Sequence, residues 1–173
     1  MLVVATCALA PDAAVHAKEA MHRGDKAVVT WLDENGVKQT ARVRGVTYGH
    51  YERRYLTVPK DGLGYKDTLV EQKGLPLAGG FVKFTSVDTI ELSWETDAAT
   101  GASQLRIEMV PPNGKRKTAR GGELAGAAHP TSPYLAFLVD GAPMKFNLEP
   151  MSTAAERSGH PQILSIAFYV LEP

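Results

Sequence analysis

The sequence predicts a mainly β fold built by duplication of one small unit, and three observations lead to it. Matching residues recur in order at a nearly constant offset along the chain. Short runs of β-branched and aromatic residues are bounded by Asn-Gly and Asp-Gly pairs, the turn chemistry of hairpins. Helical periodicity is weak throughout. The composition, 44% apolar and 22% charged over 173 residues, is that of a folded chain with enough surface to bury a core.

The offset series sets the boundaries. Asn35-Gly36 and Asn113-Gly114 lie 78 residues apart, as do Thr40-Ala41-Arg42 and Thr118-Ala119-Arg120. His50 and His129, Tyr55-Leu56 and Tyr134-Leu135, and Asp61-Gly62 and Asp140-Gly141 follow at 79. Val87, Ile90 and Leu92 match Ile163, Ile166 and Phe168 at 76. The two copies run over 24–94 and 104–173, joined by 95–103, whose Gly, Ala, Thr and Ser have linker composition.

Taken in order, residues 1–20 hold an apolar stretch, Leu2 to Ala10, and then Val15-His16-Ala17, which resembles a signal-peptidase site. No Lys or Arg precedes Lys18, so either the start lies upstream of Met1 or the segment is an N-terminal extension of the fold. The first alternative predicts a periplasmic or secreted protein, the second a cytoplasmic one. The single cysteine, Cys7, lies in this segment, so removing it leaves no thiol for a disulfide, a nucleophile or a metal site.

Ala27 to Leu32 predicts a first strand, and Val37 to Val43, with Val37, Ala41 and Val43 on one face, predicts its hairpin partner. Leu105, Ile107 and Met109 repeat the alternation before a turn lengthened by Pro111-Pro112. Third strands are expected at Tyr55 to Val58 and Tyr134 to Val139, and closing strands at Val87 to Trp94 and Ile163 to Leu171. Helical candidates are 12–23 and a turn near 152–157. A strand, an Asn-Gly hairpin, a third strand ending at Asp-Gly and a closing strand resemble an SH3-like or Sm-like barrel, which implies two such units in tandem. One β-sandwich formed by the duplicated halves fits the same pattern.

Function is less legible. Equal numbers of basic and acidic residues, 19 and 19, argue against a dedicated nucleic-acid binder, and no apolar run reaches the roughly 20 residues of a membrane-spanning helix. Strand alternation places Lys38, Thr40, Arg42 and Arg44 on one face, and Arg116, Thr118 and Arg120 repeat the row in the second copy. Cations flanking a hydroxyl suit carboxylate, sulfate or phosphate; the plainer reading is a solvated face that protects a hairpin edge. Tyr48, Tyr51, Arg53 and Tyr55 concentrate in what reads as a loop between strands two and three, a composition favoured at binding surfaces. His50, His129 and His160 are the weak candidates for a metal site between the copies, without short ligand spacing.

No catalytic motif and no cofactor-binding motif is present. The expected function is therefore a non-enzymatic binding or assembly module for a protein or an anionic envelope component. A small metal-dependent or hydrolytic enzyme, and a purely structural subunit of a homo-oligomer, are the alternatives.

Overall fold

The structure is a computed structural model that describes residues 25–58, 62–96, 98, 101, 103–124, 133–148 and 159–169. The N-terminal segment 1–20, both helical candidates and His129 lie outside the described residues. Eleven strands account for most of the rest: β1 Lys26–Leu32, β2 Lys38–Val58, β3 Gly62–Gln72, β4 Gly74–Leu77, β5 Gly80–Lys83, β6 Thr89–Thr96, β7 Ser103–Val110, β8 Lys117–Arg120, β9 Tyr134–Val139, β10 Ala142–Asn147 and β11 Gln162–Phe168. Among the described residues there is no α-helix, only two single 3₁₀ turns.

Nine strands form one antiparallel sheet in the order β10-β9-β2-β1-β11-β6-β7-β8, with β3 hydrogen-bonded to the far part of β2. The sheet is mainly the product of alternation. Ala27, Val29 and Trp31 of β1, Leu105, Ile107 and Met109 of β7, and Leu135 and Phe137 of β9 all point to one buried side. The sheet coils enough for Phe146 of β10 to meet Trp31 of β1 across two intervening strands, with ring centroids 6.1 Å apart. It does not close, so the expected barrels are not formed. Strands from 24–94 and 104–173 instead interleave: β1 pairs with β11, and β6 with both β11 and β7.

A β4–β5 hairpin and the 3₁₀ turn at Phe84–Ser86 cover part of the core. Phe84 is fully buried and stacks on Phe168 with centroids 5.2 Å apart, while Leu75 and Val87 fill the space beside it. The hairpin is tied down where Leu77 bridges Leu124 and the Ala78 amide donates to the Glu123 carbonyl at 2.9 Å.

Turn chemistry follows the sequence closely. The β1–β2 loop places Gly36 at φ 75°, and the Asp33 carboxylate accepts the amides of Asn35 and Val37, both at 2.9 Å. Those bonds, with the Gln39 side-chain amide as the leading cause, hold the Asp33 carboxyl below its usual range. The β9–β10 turn has both Asp140 and Gly141 at positive φ, 49° and 85°, the geometry of a tight hairpin.

The main departure from expectation is β2. The segment read as a loop, Tyr48 to Tyr55, is continuous strand, and the expected third strand at Tyr55 to Val58 is its far end. Its partner there is β3, with Tyr48 opposite Gln72 and Tyr55 opposite Tyr65. Together they form a two-stranded arm that runs beyond the ends of β1 and β9.

Candidate functional site

Gly45 decides how the outer surface of β2 is built. It takes φ 64°, a left-handed conformation that glycine adopts without strain, and its amide donates to the Asp25 carbonyl at 2.9 Å. Across the sheet, Arg44 lies opposite Leu138 and Thr47 opposite Ala136, so three residue steps of β2 match two of β9. This is a β-bulge, and the extra residue reverses the parity of the strand. Lys38, Thr40, Arg42 and Arg44 point outward before it, and Thr47, Tyr51, Arg53 and Tyr55 point outward after it. The cationic row and the Tyr/Arg segment therefore share one face of one strand.

Tyr48 does not belong to that face. It lies on the inner parity with Val46 and His50 and is fully buried, and burial pushes its hydroxyl pKa up. Its place in the expected site is corrected accordingly: a partner on the outer face cannot reach it. His50 is also buried, its ring 5.6 Å from that of Tyr48 and its Nε2 3.6 Å from Glu52 Oε1. His160 is exposed just before β11, and the described residues contain no cluster of three metal-ligating side chains.

The base of the arm is clamped. Tyr134 of β9 lies across Gly49, where an added Cβ would fall 2.1 Å from the ring carbon Cζ. The Tyr134 hydroxyl donates to Glu71 Oε1 at 2.8 Å, and Lys145 Nζ lies 3.6 Å from the ring centroid. Burial first, and then the bond to Glu71, push the Tyr134 hydroxyl pKa up to about 12.

Further out, Arg53 forms a bidentate pair with Asp67, both bonds 2.9 Å, while its guanidinium lies 3.9 Å from the Tyr65 ring centroid. The Asp67 bond is the main cause that raises the Arg53 pKa. Beyond this pair Tyr55 and Tyr65 are 72% and 60% exposed, directly opposite each other, and so form the accessible aromatic tip of the face.

The two basic rows differ in their surroundings. Arg116 is neutralised by Glu108 at 2.8 Å and Glu91 at 3.6 Å, and next to it Arg106 pairs with Glu95 and Glu108. Arg120 is exposed and its backbone amide donates to Glu123 at 2.8 Å. Lys38, Arg42 and Arg44 have no ion pair or side-chain hydrogen bond among the described residues. The rows do not meet, because β1, β11, β6 and β7 lie between β2 and β8 in the sheet.

Register also adds residues that sequence reading missed. Lys26 lies directly opposite Arg44, and Leu138 flanks Arg44 on the other side. Two open depressions result, of about 450 Å³ beside Leu138, Asp140 and Gly141 and about 200 Å³ beside Lys26 and Tyr169, with Arg42 and Arg44 lining both. Only the pairing of distant strands brings these groups together, so no local signal marks them. No helix among the described residues is long and apolar enough to cross a membrane. No family model, no curated protein and no solved structure matches the chain.

Proposed function

We propose that this protein is a non-enzymatic binding module that holds an anionic partner, a protein or an envelope component, against the outer face of β2. The observation that carries the proposal is the contrast between the rows: Arg116, just before β8, is ion-paired with Glu91 and Glu108, whereas Lys38, Arg42 and Arg44 of β2 have no ion pair among the described residues. An uncompensated cationic strip joined to exposed Tyr55 and Tyr65 has the charge and the rigid aromatic area that recognition surfaces use.

The module acts outside the cytoplasm if the N-terminal segment works as an export signal. It is also a duplicated unit whose halves exchange strands. The order β1-β11-β6-β7 reads the same when the halves are interchanged, and Gly36 and Gly114 take matching φ values of 75° and 76° after equivalent asparagines.

The test is affinity capture with the paired variants Arg42→Glu/Arg44→Glu and Arg116→Glu/Arg120→Glu. Partners held by wild type are expected to be retained by the β8 variant and lost from the β2 variant. Equal recovery from both variants would leave the β2 cations as a merely solvated surface.

A further inference from the structure

We infer that the near end of the outer face is a site for a phosphate ester carried on a hydroxyl-bearing body, the chemistry of a sugar phosphate. The inference rests on the binding-module reading and narrows its ligand.

Three cations define the charge of the site. Lys26 and Arg44 are directly opposed across the β1–β2 ladder, and Arg42 follows on the same face. Like charges placed opposite each other in a sheet are destabilising, and elsewhere in this sheet the cost is met by interleaved acids, as at Glu91, Glu95 and Glu108. Here no carboxylate comes within ion-pairing reach of the three among the described residues. A lone carboxylate would occupy one guanidinium. A phosphate monoester has three free oxygens and close to two negative charges, enough to engage both arginine forks and the lysine together.

The rest of the ligand is set by what surrounds the charges. The larger depression, about 450 Å³, falls within the range of small-molecule sites, roughly 300–1,000 Å³. Its far side holds Leu138, 42% exposed and thus available for apolar contact, and the Asp140 carboxylate. A carboxylate repels a second anionic group and accepts hydrogen bonds from hydroxyls. Phosphate therefore belongs over Arg42 and Arg44, with a neutral polyol body extending to Asp140. Asp140 is the selective element: it discriminates against ligands that are anionic along their whole length.

The experiment is calorimetric titration of the full chain with glucose 1-phosphate, inorganic phosphate and glucose, each at matched ionic strength in chloride. Saturable binding is expected for glucose 1-phosphate, tighter than for inorganic phosphate, and none for glucose. Arg42→Gln/Arg44→Gln is expected to weaken it at least tenfold, and Arg116→Gln/Arg120→Gln to leave it unchanged. Asp140→Asn should bring glucose 1-phosphate down to the level of inorganic phosphate, a readout that a loss of folding would not mimic. These exposed side chains can be exchanged without opening the core, and circular dichroism checks that they are.

Phosphatidylcholine vesicles containing phosphatidylinositol 4-phosphate, whose headgroup carries a phosphate monoester on a polyol ring, distinguish the sources of the same chemistry. Arginine-dependent co-sedimentation assigns a lipid headgroup, and its absence beside soluble binding assigns a free ester. No saturable binding of glucose 1-phosphate, binding no tighter than that of inorganic phosphate, or binding unchanged in the Arg42/Arg44 variant, overturns the inference. If partner capture still depends on Arg42 and Arg44 in that event, the module reading stands and only the sugar phosphate is withdrawn.

Discussion

Replacing Gly49 with alanine should cost far more than a methyl group on a strand usually does, because the Tyr134 ring occupies the position the methyl would need. The added Cβ would lie 2.1 Å from Cζ and 2.4 Å from the hydroxyl oxygen, well inside any tolerable contact, so the ring must leave. Its departure breaks the 2.8 Å bond to Glu71, worth about 1 kcal/mol, and the Lys145 contact over the ring, worth about 0.5–1 kcal/mol. It also returns roughly 100 Å² of ring surface to water, about 2.5 kcal/mol at 25 cal/mol per Å². Against this, alanine recovers about 0.5–1 kcal/mol of backbone entropy relative to glycine. The net loss is about 3–4 kcal/mol, equivalent to a Tm lower by roughly 6–16 °C for a chain of this size.

Urea unfolding of Gly49→Ala, Tyr134→Ala and the double variant measures it. Once the ring is gone the methyl has nothing to displace, so the double variant should be no less stable than Tyr134→Ala alone. Additive single effects, or Gly49→Ala within about 1 kcal/mol of wild type, would refute the clamp.

Two further outcomes follow from the same region. The Tyr134 pKa is raised to about 12, so the folded state keeps a proton that the unfolded chain releases near pH 10. Stability is thus fully retained below about pH 10 and falls between there and pH 12, by up to about 1.4 kcal/mol per pH unit for this group. Tyr134→Phe should remove its share of that slope in denaturation curves taken at pH 9 to 11, while the share from buried Tyr48, also raised, persists. At the bulge, Gly45→Asn should be nearly neutral in Tm, whereas Gly45→Val should cost about 1–2 kcal/mol, because a β-branched residue tolerates the left-handed conformation poorly. Equal effects of the two substitutions would show that the bulge does not need that conformation.

Much of the strand pattern was legible because one buried face writes alternation directly into the chain. Ala27 to Leu32, Leu105 to Met109 and Tyr134 to Val139 are strands for that reason, and the turns at Asn35-Gly36, Asn113-Gly114 and Asp140-Gly141 fall where their glycines are needed. The arm was not legible because it lacks a buried face: β3 has Tyr65 and Leu69 exposed, so no alternation marks it. Tyr48 joins Tyr51, Arg53 and Tyr55 in the sequence reading because their composition suggests a loop, in which strand parity does not apply; the glycine in Arg44-Gly45-Val46 is the available sign of a bulge that turns Tyr48 inward. The outward cations of β2 were readable from spacing. That Arg116 is neutralised and Arg42 is not depends on which strands become neighbours, and this is written in no local segment.

The pairing of β1 with β11 also governs the order in which the protein can be made. Val29 lies opposite Ile166, so β1, the first described strand along the chain, waits for the last described one. Without β11 the ladder of the main sheet divides into two groups, β10-β9-β2-β1 and β6-β7-β8. Such long-range closure slows folding. In a sheet built this way no local segment completes the main ladder, and β11, the last described strand along the chain, is the one whose arrival joins its two parts.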